Sequence, residues 1–328
     1  MFYLVIVLAV GFAIVNGAHD AANAIATVIG TRVLSPAKAI AMAAILNFAG
    51  AATGLAVAKT IGKGIIDPQL LDPNVMLNVM LAALVAAIIW EYITLHIGLP
   101  VSGHHCLIAG LVGAGIAAAG SETIAWGTFE RVLASVAIAP ALGFTVGLFL
   151  MVAIMWVFRR TSTLRVEGIF SRLQILSAAF MAYSHGKNDG QMPIGIIVMA
   201  LSIHTGVDRF QDVPFWIIAL CAAAIALGTA LGGWRVIRTL GVRITAMRPV
   251  HGFAAESAAA SVIEAASAFG IPVSTTHCIS SAIMGVGATR RLSAVRWGVA
   301  GNIVLAWILT FPICGIIGYV IFEIANLV

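Results

Sequence analysis

Charged residues are scarce in this sequence. Of its 328 residues, Asp, Glu, Lys and Arg together make up 9%, whereas hydrophobic residues make up 61%. A soluble domain usually carries about 25% charged residues and exposes them to water. The scarcity of charge therefore excludes an ordinary soluble domain, and no nucleic-acid partner is expected. It predicts a polytopic membrane protein that lies in the lipid bilayer.

Signals for processing and for redox chemistry are also few. The N-terminus, Met-Phe-Tyr-Leu-Val, has neither a positively charged segment nor a small-residue cleavage site, so we expect it to begin the first membrane span. The sequence has four cysteines, and all of them lie in apolar segments. We expect these cysteines to be reduced core residues. They are Cys106, Cys221, Cys278 and Cys314.

Long apolar runs fill most of the chain. A spanning helix needs roughly 20 apolar residues, so the chain can supply about ten spans joined by short loops, with no room for a separate soluble domain. We predict an all-α fold with about ten crossings, some of them formed by broken or re-entrant helices. The crossings are predicted near residues 1–31, 38–60, 75–97, 104–120, 132–158, 173–204, 213–234, 250–270, 272–289 and 297–326.

Basic residues collect on one side of the predicted membrane. With ten crossings, thirteen of the 18 Lys and Arg residues fall on the same side. The positive-inside rule makes that side cytoplasmic and places both termini outside. We interpret these clusters as topology signals rather than as lipid or regulatory sites. They comprise Arg32, Lys38, Arg159, Arg160, Arg165, Arg172, Arg235, Arg238, Arg243, Arg248, Arg290, Arg291 and Arg296.

A polar stretch at residues 16–27 interrupts the first apolar run. It reads Asn-Gly-Ala-His-Asp-Ala-Ala-Asn-Ala-Ile-Ala-Thr and places Asp20 at membrane depth. An ionisable group there is costly and is functional by default. Asp20, Asn23 and Thr27 share one helical face because they are spaced three and four residues apart. Since Asn-Gly can interrupt a helix, the stretch predicts a polar site at a helix break.

Two motifs occur once in each half of the chain. Residues 184–191, which begin Ser-His-Gly-Lys-Asn-Asp, resemble the first polar stretch, and residues 270–278 match residues 98–106. The spacing agrees as well, because 85 residues separate Asp20 from His105 and 88 separate Asp189 from His277. The sequence therefore indicates an internal duplication.

The duplication predicts two inverted-topology repeats. Five crossings per half is an odd number, so the second half enters the membrane from the opposite side, as in many transporters. We assign residues 1–160 to the first repeat and residues 173–328 to the second. Residues 161–172 form an Arg-rich cytoplasmic connection between them.

The second motif of each half is rich in hydrogen-bond donors. Pro272 fits the start of a helix, where hydroxyl groups lie beside unpaired backbone N–H groups. Such a helix end attracts an oxyanion through its dipole and its free donors. The alternative is that the hydroxyls only cap re-entrant helices. The donors concerned are Ser274, Thr275 and Thr276 in the second half and Ser102, Gly103 and His104 in the first.

The motifs at residues 16–27, 184–191 and 272–277 resemble the signature segments of the inorganic phosphate transporter (PiT) family, in particular its bacterial low-affinity phosphate permeases. The stretch ending Leu-Ala-Trp-Ile-Leu-Thr-Phe-Pro also resembles the bacterial branch. The resemblance implies a secondary active transporter that imports phosphate, free or as a metal-phosphate complex, by symport with H+ or Na+. It also implies a homodimer in the cytoplasmic membrane. No enzymatic activity and no cofactor are expected.

The resemblance assigns residues to the site. Gly103 and His104 depart from the family pattern, because many relatives have hydroxyl residues there, but each still offers an N–H donor. The resemblance implies phosphate binding by Asp20, Asn23, Ser102, Asn188, Asp189, Ser274, Thr275 and Thr276, and Gly103 and His104 are added to the predicted site for their N–H donors. The resemblance implies Asp20 and Asp189 as coupling-ion residues; Thr27, on the same helical face as Asp20, and Glu256, in an apolar span, are added to this prediction, and no resident metal site is predicted.

Other polar residues leave alternatives open. Glu256 could join the ion path or pack through hydrogen bonds, whereas Glu91, which follows Trp90 near the end of a span, is expected at the membrane interface. Lys187 could pair with Asp189 or with the anion. The motif histidines could bind protons or metals, or could form structural hydrogen bonds. These histidines are His19, His105, His185 and His277.

Three other functions compete with phosphate transport. A sulfate transporter would keep the same donors, but sulfate at neutral pH has no proton to share with a carboxylate. A divalent-metal transporter would need paired ligands, and no HxxxH or HxxE pair is present. An intramembrane hydrolase would need one nucleophile, which two equivalent motifs do not favour. Two aspartates beside phosphate must be protonated or neutralised by a cation, which favours a cation-coupled phosphate transporter.

Overall fold

Helices form nearly all of the computed structural model, which describes residues 1–67 and 70–327. Within these residues there is no β-strand, and one isolated bridge joins Ile66 to Ile124. The all-α prediction is therefore confirmed. The predicted second repeat ends at Val328, which lies outside the described residues. The helices are α1 Phe2–Gly30, α2 Pro36–Ala51, α3 Ala56–Lys63, α4 Pro73–Ile97, α5 Gly103–Ala119, α6 Trp126–Val157, α7 Thr163–Asp189, α8 Gln191–Thr205, α9 Phe215–Leu231, α10 Trp234–Arg238, α11 Pro249–Ala268, α12 Thr275–Ala288 and α13 Trp297–Asn326.

Helix length and apolarity identify the clearest membrane spans. Among the described residues, α1, α4, α6 and α13 are long and apolar enough to cross a bilayer. Two bent pairs raise the number to as many as six: α2 with α3, bent by 71°, and α9 with the segment Trp234–Arg243, bent by 63°. Helices α5 and α12 have 17 and 14 residues, fewer than the roughly 20 that a straight span needs. The predicted total of about ten crossings stays a prediction.

The predicted break at Asn16-Gly17 is wrong, because α1 is one helix from Phe2 to Gly30. Gly17 instead lies against the backbone carbonyl of Ile225 in α9, where a Cβ atom would collide. Small residues allow such close helix contacts in membranes. The glycine in this motif therefore serves helix packing and does not interrupt the helix.

Two boundaries in the middle of the chain also differ from the prediction. The Arg-rich connection is helical from Thr163 onward and forms the first turns of α7. The predicted span at 173–204 is divided at Gly190, between α7 and α8. The division follows Asp189 directly, so it lies within the second polar motif.

The short helices α5 and α12 have matching surroundings. Helix α5 packs against α4 and α13, and α12 packs against α11 and α6. Helix α1 lies between these groups and contacts α4, α7, α8, α9 and α12. The four cysteines are buried and free, in line with their expected place in the core.

Helices α5 and α13 approach each other closely at glycines, so Gly113→Ala is expected to destabilise the protein. A Cβ atom on Gly113 would collide with the backbone carbonyl of Gly315. Because backbone atoms cannot rotate away, we expect a loss of roughly 1–3 kcal/mol and a lower unfolding temperature in detergent. Gly298→Ala is the control, since a Cβ there meets no described atom within 4 Å. An unchanged unfolding temperature in Gly113→Ala would contradict the close contact.

Candidate functional site

The segments that lead into α5 and α12 have the same construction. Gly98 and Gly270 adopt φ values of 79° and 67°, a left-handed backbone conformation that glycine accepts without strain. Each segment then contains a proline, and the short helices begin at Gly103 and Thr275. The matching sequences of the two halves thus produce matching helix starts.

Ser102 and Ser274 cap these two helices. The Ser102 hydroxyl oxygen accepts the backbone N–H of His105 at 3.4 Å, and the Ser274 oxygen accepts that of His277 at 3.1 Å. A capping oxygen satisfies one of the free N–H groups of a first turn. Each hydroxyl proton can still be donated, so a phosphate contact at either serine stays a prediction.

The two helix starts meet in the interior. The rings of His105 and His277 lie edge to face with centroids 4.8 Å apart, and His277 stacks on Trp307 at 3.9 Å. The first-turn N–H groups at a helix start lack intrahelical partners and form the positive end of the helix dipole. Two such ends therefore face the same small region.

A hydrogen-bond network joins α1, α7 and α12 in that region. The Asn23 amide donates to the hydroxyl oxygens of Thr275, at 3.2 Å, and Thr276, at 2.9 Å. In turn, Thr276 donates to Asp20 Oδ1 at 3.2 Å and Thr275 donates to Asp189 Oδ2 at 3.4 Å. All five side chains are buried. The structure thus brings together the acidic motifs of both halves and the hydroxyls of the second half.

His19 holds Asp20 from the other side. Its Nδ1 lies 2.8 Å from Asp20 Oδ1, and its Nε2 lies 3.2 Å from the carbonyl oxygen of Leu99. Both ring nitrogens of His19 thus contact an oxygen atom. His19 therefore links the first acidic motif to the segment that leads into α5.

Asp189 is the most heavily contacted carboxylate of the site. Oδ1 accepts the Asn188 amide at 3.1 Å, and Oδ2 accepts the Asn16 amide at 3.4 Å. His185 Nε2 lies 3.2 Å from Oδ2, and His104 Nδ1 lies 3.8 Å from Oδ1. Side chains from α1, α5 and α7 thus converge on one carboxylate.

Asp20, His185 and Asp189 form a cluster that could hold a cation. Each offers one ligand atom, and these atoms lie within 4.8 Å of one another. Two carboxylates this close repel each other unless a proton or a cation neutralises them. His185 and Asp189 lie four residues apart on α7, a spacing that neither an HxxxH nor an HxxE pattern reveals in the sequence.

Glu256 forms a second buried polar cluster. Its carboxylate accepts the hydroxyls of Thr27 and Ser177, and it accepts the Gln174 amide at 3.2 Å. Thr31 donates to the oxygen of the same Gln174 amide at 2.8 Å. Thr27 therefore contacts Glu256 rather than Asp20 or Asp189. The predicted coupling residues are divided between two clusters along the same face of α1.

The structure contradicts one alternative for Lys187 and the expected position of Glu91. Lys187 pairs with Glu264 at 2.6 Å rather than with Asp189, and its pairing with the anion stays a prediction. Glu91 is fully buried and does not lie at the membrane interface. The sequence contains a signal for this burial. Glu91 lies seven residues, or about two helical turns, before Gly98, which begins one of the motifs expected inside the protein, so Glu91 lies near that motif.

Some buried polar residues near the site lie outside the sequence motifs. His185 Nδ1 lies 3.0 Å from Asn47 Oδ1, and the Asn47 amide donates to Thr229 at 2.8 Å. Asn47 and Thr229 lie in apolar helices that carry no recognisable motif, so only the packing of α2, α7 and α9 shows their role. They orient His185, which in turn contacts Asp189.

The arrangement can bind an oxyanion together with a cation. Hydroxyl, amide and backbone N–H donors surround two carboxylates, and every one of these side chains is buried. A charged molecule reaches such a site only if the surrounding helices move. This geometry suits a transporter, in which movement of the protein exposes a buried site first to one side and then to the other.

The sequence is similar to those of known proteins. The sequence profile described as the phosphate transporter family matches residues 16–318. A Rhizobium meliloti protein named "Probable low-affinity inorganic phosphate transporter" is 45% identical over 324 residues, 98% of this chain and 96% of the relative. A Bacillus subtilis protein of the same name is 41% identical over 328 residues, 99% of this chain and 97% of the relative.

A solved structure has the same fold. It is that of a sodium-dependent phosphate transporter, and it superposes on this chain with a TM-score of 0.90 at 27% identity. The match covers 100% of this chain and 99% of that protein.

Proposed function

The chain belongs to the phosphate transporter family, and from this premise we propose that it imports inorganic phosphate by symport with H+ or Na+. Membership confirms the resemblance drawn from the motifs. The protein is a multi-pass membrane protein, and its relatives are named as transporters rather than as enzymes. The proposed location is the cytoplasmic membrane, with both termini outside.

One observation carries the proposal: threonine hydroxyls at a helix start are hydrogen-bonded to carboxylates from both halves of the chain. Thr275 and Thr276 lie between Asn23 and the pair Asp20 and Asp189. Phosphate oxygens accept hydrogen bonds from the hydroxyls and backbone N–H groups, while a protonated phosphate oxygen donates to a carboxylate. Sulfate has no such proton at neutral pH, so phosphate fits this site better.

The proposed phosphate contacts combine both halves. From the second half come Asn188 and the hydroxyls at the start of α12, together with Asp189. The first half contributes Asp20 and Asn23. At the start of α5, Ser102, Gly103 and His104 contribute a hydroxyl, a backbone N–H and a ring N–H.

The proximity of Asp20 and Asp189 gives a physical basis for coupling. Two anionic side chains beside an anionic substrate repel it, so a bound cation or proton lowers the cost of binding phosphate, and phosphate lowers the cost of binding the cation. Thr27 and Glu256 provide a second cation position on the same face of α1. The similarity to a sodium-dependent transporter supports Na+ as one candidate ion.

Alternating access is proposed to use two inverted repeats. Equivalent starts of α5 and α12, each preceded by a left-handed glycine, support this division of the chain. Movement of one repeat against the other would expose the buried site to each side in turn. A homodimer and transport of a metal-phosphate complex remain parts of the proposal that the family resemblance implies.

Transport in proteoliposomes tests the proposal. Uptake of radiolabelled phosphate is measured with an imposed pH gradient or an imposed Na+ gradient, each with and without excess sulfate and with and without Mg2+. We expect accumulation that one of the gradients drives and that sulfate leaves unchanged. A requirement for Mg2+ would identify a metal-phosphate complex as the cargo. Absence of phosphate accumulation under both gradients would refute the proposed function.

A further inference from the structure

Glu91 is a buried carboxylate that lacks hydrogen-bond donors. It lies on α4 and is fully buried, and within the part of the chain that the structure describes neither of its carboxylate oxygens has a hydrogen-bond partner. An ionised carboxylate without partners is costly in a buried site and is neutralised by a proton or a counterion. No lysine or arginine side chain is among the buried residues of the described ranges. A basic partner therefore does not explain the position of Glu91.

The neighbour of Glu91 is an acceptor that also lacks a donor. Asn16 Oδ1 is buried and, among the described residues, has no hydrogen-bond partner. A Cβ atom built on Gly103 would meet both oxygens, with Glu91 Oε1 at 2.6 Å, so the two oxygens are neighbours across this glycine. Two facing oxygens repel each other when neither carries a hydrogen. A proton on Glu91 would supply the donor that this pair lacks, because a carboxyl O–H can donate to an amide oxygen.

Asn16 connects Glu91 to the proposed phosphate site. Its Oδ1 faces Glu91, while its Nδ2 donates to Asp189 Oδ2 at 3.4 Å. With Glu91 protonated, this orientation of the amide satisfies both neighbours. An ionised Glu91 would instead attract the Nδ2 donor and take it away from Asp189. The proton on Glu91 thus controls a hydrogen bond of the proposed coupling carboxylate.

The other titratable groups around Glu91 do not replace the proton. Asp189 accepts the amide of Asn16, the neighbour of Glu91, and this second carboxylate disfavours a negative charge on Glu91. His104, on α5, lies 3.8 Å from Asp189, and Arg235, on α10, binds the backbone carbonyl of His96 near the end of α4. Among the described residues, the other buried titratable side chains on α1, α5, α7, α12 and α13 are His19, His105, Cys106, His185, His277, Cys278 and Cys314.

We propose that Glu91 binds the proton that accompanies phosphate, and that Asn16 transmits its protonation to Asp189. The inference rests on the proposed phosphate transport and names H+ as a coupling ion at that site. A proton from the outer solution converts the Glu91 carboxylate to a carboxyl group, which donates to Asn16 Oδ1. Loss of the proton on the inner side reverses the step, frees the Asn16 amide from Asp189 and weakens the site for phosphate.

The two repeats are asymmetric at this position. Counting back seven residues from Gly98 gives Glu91, whereas the same count from Gly270 gives the buried Ile263. Of these two equivalent positions, only the one in the first half has a carboxyl group, and it lies beside Gly103 at the start of α5. The second start has Thr275 in place of that glycine, and its hydroxyl contacts Asp189 directly.

The test is Glu91→Gln in proteoliposomes. Glutamine keeps the shape and donates to Asn16 permanently, so it imitates the protonated state. We expect phosphate exchange without a gradient to stay within roughly threefold of the wild type, and accumulation driven by a pH gradient to fall at least roughly tenfold. Glu130→Gln, the same change at an exposed carboxylate of α6, is the control and should behave as the wild type.

The outcomes separate the two proposals. If Glu91→Gln accumulates phosphate under a pH gradient as the wild type does, the role of Glu91 is refuted. If the wild type responds only to Na+, phosphate transport stands and the role of Glu91 fails. A wild type that neither exchanges nor accumulates phosphate refutes both. If Glu91→Gln loses phosphate exchange, Glu91→Asp is measured next. Accumulation driven by a pH gradient in Glu91→Asp supports the proton role of Glu91. Absence of that accumulation refutes the proton role and indicates that Glu91 serves packing.

Discussion

Replacing Asp189 by asparagine is expected to lower phosphate uptake by at least about 100-fold, corresponding to roughly 2.7 kcal/mol of lost transition-state stabilisation. Asparagine keeps the size of the side chain but removes its negative charge. The carboxylate accepts from Asn16, Asn188 and Thr275, and one of its oxygens lies 3.2 Å from His185 Nε2. An amide can accept at only one atom, so it cannot satisfy this set of donors or hold a cation with Asp20. Uptake of radiolabelled phosphate at several concentrations measures the loss.

Asp208→Asn is the matched control for this substitution. Asp208 is exposed and pairs with Lys63 at 2.5 Å, so its charge is screened by water and does not belong to the buried network. We expect its uptake to stay near that of the wild type. Size-exclusion chromatography in detergent verifies that both variants fold. Wild-type uptake by a folded Asp189→Asn would remove Asp189 from the coupling role.

Much of the site follows from local sequence pattern. A proline and hydroxyl residues predict a helix start, and the structure begins α12 at Thr275. Duplicated motifs at similar spacing predict that two acidic residues face two helix starts, and the network from Asn23 through Thr276 to Asp20 agrees with this. The helix start could be predicted because it depends on a few consecutive residues, and its pairing with the acidic motifs could be predicted because both motifs are duplicated at similar spacing.

Other parts of the site depend on packing between distant helices. Gly17 resembles a helix breaker in sequence, but a glycine is also required wherever a carbonyl such as that of Ile225 approaches the helix. The partner of Lys187 could not be chosen from sequence, because Glu264 lies on another helix, 77 residues along the chain. Glu91 was misplaced because a carboxylate near the predicted end of a span usually reaches the interface, whereas α4 is covered there by α1, α5 and α13.

Gly103→Ala is expected to lower phosphate uptake by at least roughly tenfold with a smaller effect on folding. The family pattern suggests a side chain at this position, but a Cβ atom would meet Asn16 Oδ1 and Glu91 Oε1. Both of those side chains are buried, so neither can swing into water. Displacement of Asn16 breaks its hydrogen bond to Asp189, which explains why the damage should fall on transport. Gly168→Ala, at an exposed helical position, is the control.

A double-mutant cycle with Asn16→Ala tests this explanation. Asn16→Ala removes the atom closest to the added methyl group, so Gly103→Ala should cost little further uptake in that background. We expect the two substitutions to be non-additive by about 0.5–3 kcal/mol, as is usual for residues in contact. Additive effects would mean that the methyl group acts elsewhere, for example on the backbone N–H at the start of α5. In that case the loss of uptake would come from the proposed phosphate contact of the Gly103 backbone N–H rather than from displacement of Asn16.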